Sequence, residues 1–223
     1  MTARMQTICV CTSLAMAFAT ASARANLLVD PGFENNPTTN YFTVLNNFPG
    51  FQGFWGVEAA TINGVDGPVV PPEGVRMLRM VSDGLIATQA FQTTDVTSYA
   101  ALIDSGGATA QVSALFNANV QAAAAGMSIR FFSSGSWASP ISAVFGNLVL
   151  DSNPATWEPV LVAPPVPVGT RWMVTELIYN NASLQGHAGY VDAARLVIVP
   201  EPTTLGLLTL GGMAIMRRRG RKL

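Results

Sequence analysis

Tyr190-Val191-Asp192-Ala193-Ala194-Arg195-Leu196-Val197-Ile198-Val199 reads as a β-strand. Its β-branched and aromatic side chains fit a pleated, half-buried surface. Working back along the chain, residues 171–179, 157–162 and 141–150 are further strand candidates. Residues 127–132 place Met127, Ile129 and Phe131 on one face. In residues 110–116, Gln111 and Ser113 alternate with Val112, Ala114 and Phe116. Residues 86–92 set Ile86, Thr88 and Ala90 against Ala87, Gln89 and Phe91, and residues 75–81 alternate less regularly. Leu27-Leu28-Val29 is a short apolar strand stopped by the turn signal Asp30-Pro31-Gly32. The dominant period is thus two, which is the strand period.

Residues 97–103 are the exception and suggest a short helix with Asp95 as cap. Residues 118–126 are alanine-rich and read as a loop between strands. Residues 64–74 and 163–169 are rich in proline or glycine and read as loops that do not divide the chain into self-sufficient halves. No repeat of 20–50 residues is visible, which argues against a solenoid or propeller. Eight or more strands with such punctuation predict an all-β fold, a β-sandwich.

The two ends differ in composition from this middle. Residues 1–25 carry Arg4, then an uncharged, mostly apolar stretch over 7–20, then Ala23-Arg24-Ala25. That is a secretory signal peptide, expected to form a helix, with cleavage between Ala25 and Asn26 and a second choice after Ala23. Both cysteines, Cys9 and Cys11, fall inside it. The exported part therefore holds no disulfide, thiolate metal site or cysteine nucleophile.

At the other end Pro200-Glu201-Pro202 leads into the uncharged residues 203–216, followed by Arg217, Arg218, Arg219, Arg221 and Lys222. Fourteen residues span about 21 Å as a helix, a short crossing of a hydrocarbon core of roughly 30 Å. The basic cluster favours a cytoplasmic C-terminus and an exported domain. The two prolines hold Glu201 in extended backbone.

Between the ends lie residues 26–199, a single-domain length. Five arginines stand there against twelve carboxylates, a balance of −7, with no lysine. Such a domain is a poor match for nucleic acid, and it is compatible with calcium. The single histidine, His187, rules out a histidine metal cluster, and no phosphate-binding or Gly-x-Ser-x-Gly motif appears. A carboxylate pair could in principle support glycoside hydrolysis, so a glycoside-active enzyme is the least favoured alternative.

The Pro-Glu-Pro motif, apolar run and arginine cluster, in that order, closely resemble the PEP-CTERM sorting signal of exopolysaccharide-producing bacteria. That resemblance implies transient residence in the inner membrane, processing by an exosortase-like enzyme near Pro200, Glu201 and Pro202, and release to the cell surface or matrix. Signal peptidase would act at the other end. Residues 26–34 resemble the opening strand of the galactose-binding-like jelly rolls, a superfamily that includes many carbohydrate-binding modules. Residues 189–196, Gly-Tyr-Val-Asp-Ala-Ala-Arg-Leu, resemble the closing strand, and Glu73-Gly74 and Trp157 fall near positions with similar residues in such domains.

The resemblance implies a jelly-roll β-sandwich over 26–199, flanked by the signal helix (1–25) and a sorting segment (200–223) with a short transmembrane helix. It also implies a structural calcium held by Glu34 and Asp192 with backbone carbonyls. Ala193 stands where a second acidic residue is usual.

The functional expectation is an exported, non-catalytic structural or adhesive domain associated with exopolysaccharide or biofilm. The alternative is a carbohydrate-binding module with a defined glycan. Trp55, in the glycine-broken residues 49–56, and Trp137, in residues 133–139, are the candidate glycan contacts. Trp157 and Trp172 sit in strand contexts and are expected in the core. N-terminal sequencing of the exported protein is expected to begin at Asn26; an intact Met1 would refute the signal-peptide reading.

Overall fold

A computed structural model describes residues 25–35, 39–40, 55–57, 60–81, 87–119, 123–135, 139–151, 153–180 and 188–201. In chain order the elements are β1 (Thr39–Asn40), β2 (Gly56–Val57), β3 (Ala60–Asn63), β4 (Met77–Val81) and β5 (Ala87–Asp95). After a 3-10 turn (Thr97–Tyr99) come α1 (Ala100–Asp104), β6 (Ala108–Ala118), β7 (Ala124–Phe132), β8 (Ser142–Val149), β9 (Glu158–Val162), β10 (Trp172–Asn180) and β11 (Ala188–Pro200). The expected signal helix and transmembrane helix lie outside the described residues. Among the described residues no helix is long and apolar enough to cross a membrane.

The strands form two sheets. One has the order β1-β2-β5-β10-β7-β8, the other β3-β4-β11-β6-β9. All pairings are antiparallel except β1 with β2. Alternation along the strands puts one apolar face of each sheet against the other. β7 contributes Met127, Ile129 and Phe131, β10 Met173, Leu177 and Tyr179, and β6 Val112, Ala114 and Phe116. All are buried in one cluster with Leu78, Val191, Leu196 and Ile198, which share the five-stranded sheet with β6 and face β7 and β10. Each large side chain so buried contributes about 1.5–3 kcal/mol. This is the β-sandwich that the period-two pattern predicted, and the jelly roll that the resemblance implied.

Helix α1 and its 3-10 turn start where residues 97–103 suggested, and Thr97 N donates to Asp95 Oδ1 at 2.8 Å. Residues 27–29 depart from expectation. They are not a ladder strand. Only Leu27 N bonds to the last strand's backbone, at Leu196 O (2.9 Å). Side-chain amides replace the rest. Gln92 Oε1 accepts from Val29 N (2.7 Å), Gln92 Nε2 donates to Val29 O (2.9 Å), and Asn26 Oδ1 accepts from Leu28 N and Leu196 N.

Trp157 and Trp172 are half-buried and lie outside the central core. Trp157 packs on Val69, Met77, Ala188 and Tyr190 beneath the 64–74 loop, and its Nε1 donates to Val70 O. Trp172 packs on Phe91, Phe132 and Val174, on the outer face of the six-stranded sheet. The cause is register for Trp172, which projects to the side opposite the core-facing residues of β10, and Trp157 stands just before β9 begins.

Gly189 in β11 faces the Tyr179 ring so closely that any Cβ would overlap it. Gly189→Ala is expected to cost about 1–3 kcal/mol in chemical denaturation, as overpacking of a filled core does.

Candidate functional site

The last strand bulges between Asp192 and Arg195, and Ala193 takes a left-handed φ of 51° there. The bulge turns the Ala194 amide to Pro31 O (2.9 Å), while Asn26 Nδ2 donates to Ala194 O (2.8 Å). The opening segment is thus sewn to the closing strand, as the resemblance implied. Asp30 and Phe33 also have positive φ, 48° and 56°. Such backbone is rare for a bulky residue. It is held because Phe33 is fully buried against Trp55, ring centres 5.3 Å apart, and because Phe33 N donates to Asp30 O.

That contact corrects one expectation. Trp55 is 2% exposed and its Nε1 donates to Asp30 O at 3.1 Å. It offers no face to a sugar. Its glycine-flanked setting suggested an exposed loop, but the Phe33 turn recruits it into the core. Trp137 lies outside the described residues, as does His187.

The turn aims three carboxylates at one place. Asp30 Oδ1 accepts from Glu34 N (2.8 Å). Glu34 Oε1 accepts from Val75 N (2.8 Å) and Arg76 N (3.0 Å), and Gly74, at φ 62°, has no Cβ to block that approach. A Cβ on Gly32 would stand 3.3 Å from Glu73 Oε1, 3.7 Å from Asp192 Oδ1 and 3.8 Å from Glu34 Cγ. Asp192, Glu73 and the Glu34 side chain therefore gather around Gly32. Glu73 was noted in the sequence only as a familiar position, because its loop lies far from both in the chain.

Asp192 is fully buried. Its Oδ1 accepts from Ala193 N (2.7 Å), and its Oδ2 has no hydrogen-bond partner. Burial first, then the charges of Glu73 and Glu34, push its pKa up to about 7, against the pull of two backbone amides. A divalent cation fits this chemistry: an orphaned buried oxygen beside two more carboxylates. Among the described residues no three acidic, histidine or cysteine side chains form a ready-made cage, so a shell here would need carbonyls and water as well. An open depression of about 460 Å³, lined by Asn26, Pro31, Glu73, Ser113 and Ala193 to Arg195, adjoins the cluster.

A second polar feature lies on the outer face of the six-stranded sheet. Register aligns Gly56, Phe91, Glu176, Ser128 and Phe145 across five strands. Glu176 is 1% exposed; its Oε2 accepts from Ser128 Oγ (2.5 Å) and pairs with Arg130 (3.0 Å). The Arg130 guanidinium lies 5.8 Å from the Phe145 ring centre, and Phe145 is 54% exposed. This set was not legible in the sequence, since β7, β8 and β10 supply it and only their pairing brings the side chains together.

The processing residues are placed in part. Asn26 is tied to β11 as above, with Ala25 exposed before it. Pro200 ends β11, opposite Ala108, and Glu201 N donates to Gly107 O (2.8 Å). Pro202 lies outside the described residues.

Residues 199–222 match the PEP-CTERM protein-sorting motif. No curated protein matches the sequence. Among solved structures the chain is similar to TmCBM61 in complex with beta-1,4-galactotriose, at 13% identity over 80% of this chain and 100% of that one, TM-score 0.51. It is also similar to a putative sugar binding protein from Bacteroides thetaiotaomicron (12% identity, 77% and 99% covered, TM-score 0.50). A cyclase from Fischerella sp. TAU, in complex with 4-(1H-indol-3-yl)butan-2-one, is as similar (14%, 80% and 100%, TM-score 0.51). Identities this low establish the fold alone. The chain is a jelly-roll β-sandwich of the kind seen in carbohydrate-binding modules, and it ends in a PEP-CTERM motif. That motif implies export and processing by an exosortase-type enzyme.

The raised Asp192 pKa has a definite sign. The unfolded carboxyl titrates near 4 and the folded one near 7, so between them the folded state holds the extra proton. The stability this confers is complete below about pH 4 and is lost as pH rises through 7. Chelator-treated protein is expected to unfold at lower denaturant at about pH 8 than at about pH 5. Asp192→Asn should flatten that difference.

Proposed function

We propose that the protein is an exported, non-catalytic adhesive domain that holds polysaccharide at the cell surface or in the extracellular matrix. Exopolysaccharide or biofilm is its setting. The observation that carries this is the exposed Phe145 ring beside the Arg130 guanidinium. A pyranose offers an apolar CH face to an aromatic ring and hydroxyls to fixed donors. Glu176 supplies the fixing: its Oε2 accepts from Arg130 Nη2 and is itself held by the Ser128 hydroxyl. Asn147, two residues on in the same strand and exposed, adds an amide to that face. TmCBM61 and the putative sugar binding protein from Bacteroides thetaiotaomicron share this fold, and that shared shape supports the reading.

Phe145→Ala is expected to weaken retention of the domain on host exopolysaccharide at least tenfold in a co-sedimentation assay, with the melting temperature little changed. Equal retention by the variant would refute the site. Saturable binding to a single oligosaccharide on a glycan array would favour the alternative, a module for one defined glycan.

Structural calcium belongs to the same proposal. Asp192 and Glu34 would hold the ion, with carbonyls of the 30–34 turn and water completing the shell. Its part is to neutralise Asp192 and lock the first and last segments together. Calcium is expected to raise the melting temperature of the mature domain and chelator to lower it. Asp192→Ala should abolish the response, and an unchanged melting curve in the wild type would refute calcium binding.

A further inference from the structure

The sorting motif does not hang on a flexible linker. Val199 stands opposite Thr109, Pro200 opposite Ala108, and Glu201 N reaches Gly107 O at 2.8 Å. The first two residues of Pro-Glu-Pro therefore complete the last rungs of the β11–β6 ladder. The receiving strand is held from its other side too. Val166 N donates to Ala108 O (2.8 Å), Ala110 N donates to Pro164 O (3.0 Å), and Thr109 bridges Pro165. Gly106, at φ 73°, makes the turn from α1 that presents the Gly107 carbonyl, with its own amide bonded to Ile103 O.

Peptidases bind their substrates extended, commonly by pairing with the backbone edges of the segment to be cut. Between Val199 and Glu201 one edge is already taken by β6. Beyond Glu201 only Pro202 separates the sheet from the uncharged run that starts at Thr203. We propose that the sorting enzyme cuts on the C-terminal side of Glu201, with the closing rungs of the sandwich intact. The scissile peptide C–N bond is hydrolysed there. The acyl half stays on the domain and takes the hydroxyl of water, and the amine half takes the proton and leaves with the tail. Pro200 and Glu201 then remain as the last rung of the mature protein. The end of the sandwich formed by Gly106, Gly107 and residues 164–166 is the part of the folded cargo that faces the enzyme.

Two measurements on the full-length chain, expressed with an exosortase, test this. Mass spectrometry of the released protein is expected to show a C-terminus at Glu201 or later. A product ending at Val199, Pro200 or any earlier residue overturns the proposal, and so does a chain released uncut. Thr109→Cys with Val199→Cys places a disulfide across a directly opposed pair, a separation such bonds accept. The exported part has no other cysteine, since Cys9 and Cys11 both lie in residues 1–25. The oxidised lock is expected to be processed within about twofold of the wild-type rate. Loss of processing in the oxidised form, restored by reductant, would mean that the rungs must open and would overturn the proposal.

Discussion

The seam between residues 26–31 and the last strand is the constraint on which the other features rest. β11 lies between β4 and β6 in its sheet, but β4 pairs only with residues 188–191. Past the bulge, residues 26–31 take over that edge through two backbone bonds and the Asn26 amide. Without that cover, the Ala194 and Leu196 backbone groups would stand unpaired along an open strand edge. The bulge that makes room for the seam is also what fixes Asp192 in place. Fold closure and the acidic cluster are therefore one feature seen from two sides.

Among the described residues two carboxylates are buried, in opposite ways. Glu176 is given a guanidinium and a hydroxyl, so its charge is compensated where it sits. Each leaves one carboxylate oxygen without a hydrogen-bond partner, but Asp192 has two like-charged neighbours in place of a cation. The first arrangement stiffens an arginine for use at the surface. The second is stable only when a proton or a cation supplies the missing positive charge. The contrast explains why the domain's net negative charge is no obstacle to folding: the carboxylates that are buried each have a route to neutrality.

Much of the fold was readable from single residues. The alternation Val112, Ala114, Phe116 and the run Met127, Ile129, Phe131 named their own core faces, because a strand's period is fixed by its backbone. The ladder that residues 27–29 were expected to join was not readable as it stands, because Gln92, some sixty residues on, supplies the bonds through its side chain. Trp55 was misjudged for a similar reason. Nothing local reveals that Phe33 turns back to cover it. Glu34 and Asp192 were legible through their flanking motifs, whereas Glu73 and the Arg130–Glu176 pair depended on contacts between distant strands.

The sequence by itself determined what is linear: the strand period, the charge balance, the absence of cysteine from the exported part, and the order of motif, apolar run and basic cluster at the end. These need no partner in space, since each is read along the chain. The tertiary structure alone decided what is convergent: the three carboxylates around Gly32, the guanidinium fixed above Phe145, and the joining of Pro200 and Glu201 to β6. Each brings together groups from segments far apart in the chain, and only the closing of two sheets on one core sets their distances.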